Sequence, residues 1–117
     1  IAVKGVAVAA QSVTWQRYDT GLELAKSTKK YIFVDFYADW CPYCKKMDKN
    51  VFTHPQIQAS LNKHFVAIKV NGESAETVKI KGMSLSERDL TASHQVSGYP
   101  TLLFLEPDCM LILVIGV

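Results

Sequence analysis

The run Tyr31-Ile32-Phe33-Val34-Asp35-Phe36-Tyr37-Ala38 leads, with only Asp39 and Trp40 between, into Cys41-Pro42-Tyr43-Cys44. A near-continuous β-branched and aromatic run of this kind reads as a strand covered on both faces. Cys41 then opens a helix, with Pro42 at a tolerated first-turn position, and Cys44, Met47 and Val51 fall on the inner face. A buried strand that delivers two closely spaced cysteines onto a helix start leaves few architectures open to the chain.

The remaining pattern alternates around that junction. Val13 to Tyr18 reads as a short strand or lead-in, and Trp15, Tyr18, Leu22 and Ala25 recur at helical spacing, predicting a helix at about Asp19–Thr28. His54-Pro55 interrupts the cysteine helix, and Ile57 and Leu61 mark a further helical piece. Phe65 to Val70 is a second buried strand, and the polar stretch Asn71 to Met83 reads as a loop. Ser86 and Asp89 form a capping-box-like pair, with Leu85 and Leu90 placed as a hydrophobic staple, for a helix running to about Gln95. Gly98-Tyr99-Pro100 is a turn. Thr101 to Leu105 and the buried-type strand Met110 to Ile115 form a hairpin about Glu106-Pro107-Asp108-Cys109. The order β-α-β-α-β, then α-β-β, predicts a mixed α/β sheet with a parallel half and an antiparallel hairpin.

The two cysteines have a physical consequence at that position. First-turn N–H groups of a helix are unpaired and its dipole is positive there, so a thiolate at Cys41 is stabilised and the nucleophilic fraction rises. Two intervening residues bring Cys44 close enough to attack a mixed disulfide on Cys41. Pro42 stiffens the turn. Cys44, one turn further in, is expected to be the more buried and the resolving thiol.

Competing readings of the pair are weaker. A structural zinc site wants four ligands, and Cys109, His54, His64 and His94 offer no second close pair, so no metal is assigned. A non-enzymatic Cu(I) metallochaperone is the alternative that soft thiolates allow, although no Met-rich or His-rich tract supports it. Two cysteines two residues apart are also too close to staple a fold.

At 117 residues and a formal net charge of +2, the chain is one domain's worth of sequence. Lys29-Lys30 and Lys45-Lys46 are short pairs without interleaved aromatics, so nucleic acid is not an expected partner. No apolar run approaches the ~18 residues of a membrane span. Ile1 to Ala10 is small and apolar but broken by Lys4 and Gly5, a poor signal-peptide core, although Ala7-Val8-Ala9-Ala10 has the look of a cleavage site. Residues 1–12 are therefore read as an N-terminal extension and 13–117 as the domain.

Two motifs, Val34-Asp35-Phe36-Tyr37-Ala38-Asp39-Trp40-Cys41-Pro42-Tyr43-Cys44-Lys45 and Val96-Ser97-Gly98-Tyr99-Pro100-Thr101, make the chain resemble the thioredoxin-like superfamily over roughly Val13 to Gly116. The resemblance implies a thioredoxin fold, a central mixed sheet flanked by helices, and a thiol–disulfide oxidoreductase without cofactor. It implies that Trp40 shields the site beside the substrate, together with Pro42 and Tyr43. It makes Pro100 a cis-proline facing the disulfide, and gives Tyr99 backbone groups that pair with an extended substrate segment. Asp35 matches the family's buried acid, whose proton affinity rises with burial so that it takes the proton from Cys44; a charge amid Ile32, Phe33, Val34, Phe36 and Tyr37 is otherwise expensive. A lysine often accompanies that acid, and Lys69 competes with Ala67 for the place.

Cys44-Lys45-Lys46-Met47-Asp48 and Val51-Phe52-Thr53-His54-Pro55 resemble the bacterial extracytoplasmic group that includes the C-terminal domain of the thiol:disulfide interchange protein. Periplasmic or other extracytoplasmic placement follows from that resemblance. So do disulfide-containing protein substrates and an upstream dithiol donor that reduces the pair, with the chain acting as a monomer. The same residues could run as an oxidase or isomerase, since direction depends on potential. Pro42-Tyr43 is the dipeptide of glutaredoxins, but Trp40 is not, and no glutathione site is expected. Asp108-Cys109 departs from the usual Asp-Gly hairpin. The last helix of the family, which covers the sheet, is expected to be missing after Val117. Core packing accounts for Phe36 and Tyr37, a helix cap for His54, packing for His94, surface for His64 and an incidental thiol for Cys109.

Overall fold

The computed structural model describes residues 12–117; the expectations for Ile1 to Ala10 lie outside the described residues. The elements are β1 (Trp15–Gln16), α1 (Tyr18–Thr28), β2 (Tyr31–Tyr37), α2 (Pro42–Lys46) continuing into a π-helical turn (Met47–Val51), α3 (Pro55–His64), β3 (Phe65–Asn71), β4 (Thr77–Ile80), β5 (Met83–Ser86), α4 (Glu87–Ser93), β6 (Thr101–Leu105) and β7 (Leu111–Gly116). A five-stranded mixed sheet runs in the order β1-β3-β2-β6-β7. β3 lies parallel to β1 and β2, while β6 is antiparallel to both β2 and β7.

Strand alternation divides the core into two layers. Ile32, Val34 and Phe36 of β2, with Val66, Ile68 and Val70 of β3 and Leu103 and Leu105 of β6, pack against Tyr18 and Ala25 of α1 and Leu90 of α4. On the opposite face Phe33, Ala67 and Leu102 meet Phe52 and Leu61, with Met47, Val51 and Ile57 at the margin. The run YIFVDFY is apolar at nearly every position because β2 is central and has helices on both faces.

Local chemistry sets the helix boundaries. Ser86 Oγ accepts from Asp89 N at 3.0 Å and caps α4, and His54 Nδ1 accepts from Gln56 N at 3.2 Å and caps α3, with Pro55 in its first turn. α1 has no side-chain cap. Instead Asp19 in its first turn binds the Arg17 guanidinium, Nη2 to Oδ2 at 3.1 Å, and accepts from Lys79 N at 3.0 Å. Gly21 lets α1 approach β3 closely, since a Cβ there would stand 2.6 Å from both Ile68 Cγ1 and Cδ1.

Three expectations need correction. The polar stretch after Asn71 contains a hairpin, β4 with β5; it is held because Val78 is buried in the core and Ile80 and Leu85 pack behind it. α4 ends at Ser93, two residues short of Gln95, where His94 leaves helical geometry and Gln95 takes a positive φ of 58°. β7 is not buried: it is the sheet's edge strand, and Leu111 to Ile115 are exposed on both faces.

Candidate active site

Cys41 is the N-cap of α2. Its Sγ accepts the Cys44 N–H at 3.1 Å and its carbonyl accepts Lys45 N at 3.2 Å, while Pro42 occupies the first turn. Both cysteines are free thiols. Contrary to the sequence expectation, Cys44 is not the more buried: Cys41 is 2 % exposed and Cys44 3 %. Two rings, nearby Tyr37 and the sequence-distant Tyr99, pack against the cluster of Ala38, Cys41 and Cys44. Burial pushes the Cys44 thiol up to about 12, aided by its hydrogen bond to Cys41, against a backbone hydrogen bond from Ala38 that acts the other way.

Behind the pair, Asp35 of β2 is 2 % exposed. The parallel register sets it opposite Lys69 of β3, and Lys69 Nζ stands 3.3 Å from Asp35 Oδ2. This settles the choice between Lys69 and Ala67. Burial raises the proton affinity of Asp35, and Lys69 offsets it only in part. Asp35 Oδ1 has no hydrogen-bond partner among the described residues.

Lys69 is shared. Asp48, on the π-helical turn, accepts from Nζ at 2.7 Å, and the ammonium sits 4.5 Å from the Tyr37 ring centre and 5.0 Å from that of Trp15. Burial pulls the ammonium's proton affinity down, but its pairing with Asp48 and Asp35 wins and raises it. The sequence reading missed Asp48. Its one signal was position, four residues after Cys44 and one turn along the same helical face.

The rim is aromatic. Trp40 is 60 % exposed and Tyr43 57 %. The Trp40 indole donates Nε1–H to Glu73 Oε1 at 2.9 Å and meets Tyr99 edge-on at 6.1 Å between ring centres. Lys46 Nζ lies 5.4 Å from the Tyr43 ring centre. Pro42 is exposed and Pro100 buried, and the Tyr99–Pro100 peptide bond is cis. Glu73 and Gly72 also escaped the sequence reading, since a polar loop carries no local sign of what it supports.

The other residues weighed lie elsewhere. His94 bridges layers on the opposite face of the sheet, its Nε2 3.3 Å from Tyr18 Oη and its ring 5.4 Å from that of Phe36. His64 is exposed at the α3–β3 junction. Cys109 occupies the β6–β7 turn at φ 74°, the left-handed position that Gly usually fills. Among the described residues no group of three or more His, Cys, Asp and Glu could hold a metal ion, and no helix is long and apolar enough to cross a membrane.

The chain is similar to known proteins. The chain is 31 % identical over 90 residues to the thiol:disulfide interchange protein DsbD 2 of Pseudomonas aeruginosa, a match that covers 77 % of this chain but 14 % of that one. A thioredoxin from Thermus thermophilus superposes with a TM-score of 0.68 at 27 % identity, covering 91 % of this chain and 74 % of that one. The DsbH oxidoreductase superposes at 0.73 and 24 % identity, covering 93 % and 76 %. The family pattern described as thioredoxin-like matches residues 14–107. With the fold, the cysteine helix and this match in agreement, the chain belongs to the thioredoxin-like family.

Proposed function

We propose that this domain is a thiol–disulfide oxidoreductase that reduces disulfides in polypeptide substrates through Cys41 and Cys44. The observation that carries the reading is the buried Asp35 carboxylate, with one oxygen unpartnered among the described residues, behind a dithiol at a helix start. A structural cysteine pair has no use for such a group, whereas a resolving thiol held at about 12 needs a base to take its proton.

Cys41 thiolate attacks one sulfur of the substrate disulfide, forming a mixed disulfide and releasing the other sulfur as a thiol after it takes a proton. Cys44 loses its proton to Asp35 and attacks Cys41 Sγ. The Cys41–Cys44 disulfide forms and the second substrate sulfur leaves, taking a proton as a thiol. Two electrons pass from the pair to the substrate. Of the two protons its sulfurs take, one is the Cys44 proton relayed by Asp35; the other comes from solvent, which received it when Cys41 ionised. An upstream dithiol re-reduces the pair. Trp40, Pro42, Tyr43, Tyr99 and Pro100 contact the substrate, the Tyr99 backbone pairing with an extended segment.

The reducing direction is supported by the likeness to the thiol:disulfide interchange proteins, and the potential of the couple decides it. Resemblance of the cysteine helix to the extracytoplasmic group supports an extracytoplasmic setting. Trapping tests the assignment: Cys44→Ser should accumulate a mixed disulfide with a protein disulfide through Cys41, and Cys41→Ser should not. Trapping by Cys41→Ser alone would reverse the roles.

A further inference from the structure

Gly72 is buried where β3 leaves the sheet, and its N–H donates to Tyr37 O at 2.7 Å. It has no positive φ, so its backbone does not call for glycine. What requires a bare Cα is a ring: a Cβ on Gly72 would lie 2.2 Å from Tyr99 Oη and 2.6 Å from both Cε1 and Cζ. Tyr99 therefore rests flush on the Gly72 backbone. Its neighbours in the loop hold the rest of the rim, Glu73 through the Trp40 indole at 2.9 Å and Asn71 through Asp39, Nδ2 to Oδ2 at 3.3 Å.

We propose that Gly72 is a positioning residue for substrate selection: it seats Tyr99 over the dithiol, so that Cys41 is screened from small disulfides and meets polypeptide disulfides docked along the Tyr99 backbone. The proposal rests on the exchange chemistry above and adds the residue that sets its selectivity. Tyr99 is one of two rings packed against the cluster of Ala38, Cys41 and Cys44, and both thiols are nearly inaccessible. A small disulfide has little surface with which to offset moving that ring. An extended chain gains hydrogen bonds along it.

The test is the ratio of kcat/KM for insulin, as polypeptide disulfide, to that for 5,5′-dithiobis(2-nitrobenzoate), as small disulfide, measured on the reduced protein. Gly72→Ala should lower the ratio by about tenfold or more, the scale on which small misplacements act. Loss of folded protein lowers both rates together and leaves the ratio in place, so an unchanged ratio overturns the proposal. In the double variant, Gly72→Ala with Tyr99→Ala, the added Cβ has no ring to displace, and the ratio should equal that of Tyr99→Ala alone. Additive losses would contradict the seat. If the unmodified protein exchanges with neither disulfide, the function itself fails, and this proposal with it. If it exchanges with both and Gly72→Ala keeps the ratio, only the seat fails.

Discussion

Lys69 Nζ lies 3.3 Å from Asp35 Oδ2, across a register in which the two are direct partners on neighbouring parallel strands. The pair is unequal. Burial dominates at Asp35 and keeps its proton affinity high, while Lys69 divides its charge between Asp35 and Asp48.

Asp35→Asn should therefore separate stability from activity. The raised proton affinity means that the native state holds more protons than the unfolded chain once pH exceeds the ordinary carboxylate value. Stability is thus lost as pH rises from that value through the folded one. The asparagine variant lacks this loss and should be more stable at pH 7, read as a higher urea midpoint. Resolution of the mixed disulfide should slow by about 10²-fold or more, the usual scale for a lost general base.

Asp48 and Lys69 should shift the pH dependence of resolution in opposite directions. Asp35 must be ionised to accept the Cys44 proton, so the rate rises as pH passes through its titration. Asp48→Asn removes a charge that raises Asp35, and the rising limb should move to lower pH. Lys69→Met removes the cation that lowers it, and the limb should move to higher pH. Stopped-flow pH profiles of both variants check the pair, and shifts in the same direction would contradict the shared ammonium.

His94 should make the fold acid-sensitive. Burial lowers its proton affinity, so below the ordinary histidine value of about 6.5 the unfolded chain takes up a proton that the native state refuses. Stability should fall as pH drops from there through the folded value. His94→Gln should flatten that slope in unfolding curves taken between about pH 7 and 5.

Gly21→Ala should cost roughly 1–3 kcal/mol despite alanine's better helix propensity, because the new methyl meets Ile68 at 2.6 Å. Urea unfolding of the variant, alone and with Ile68→Val, measures it; the second change should recover part of the loss.

Legibility in the sequence followed the range of the forces involved. β2 and the cysteine helix were readable because apolar continuity, a first-turn proline and a close cysteine pair are local signals. The His54 and Ser86 caps were local too. The β4–β5 hairpin was not, because Thr77, Lys79 and Ser84 surround its few apolar anchors and only packing against the core selects a strand there. The Lys69 pairing depended on inter-strand register, which either odd position could satisfy. Cys41 read as the more open thiol because one of the two rings packed against its cluster, Tyr99, is distant in sequence. The β7 run looked buried because its composition is that of a core strand, yet the sheet places it at an edge.

The measurement closest to the central claim is the reduction potential of the Cys41–Cys44 couple, equilibrated against glutathione or dithiothreitol, with Cys41→Ser as the blank. A couple that reduces polypeptide disulfides should have a potential of about −270 mV, whereas a value of about −120 mV would mark an oxidant and contradict that function.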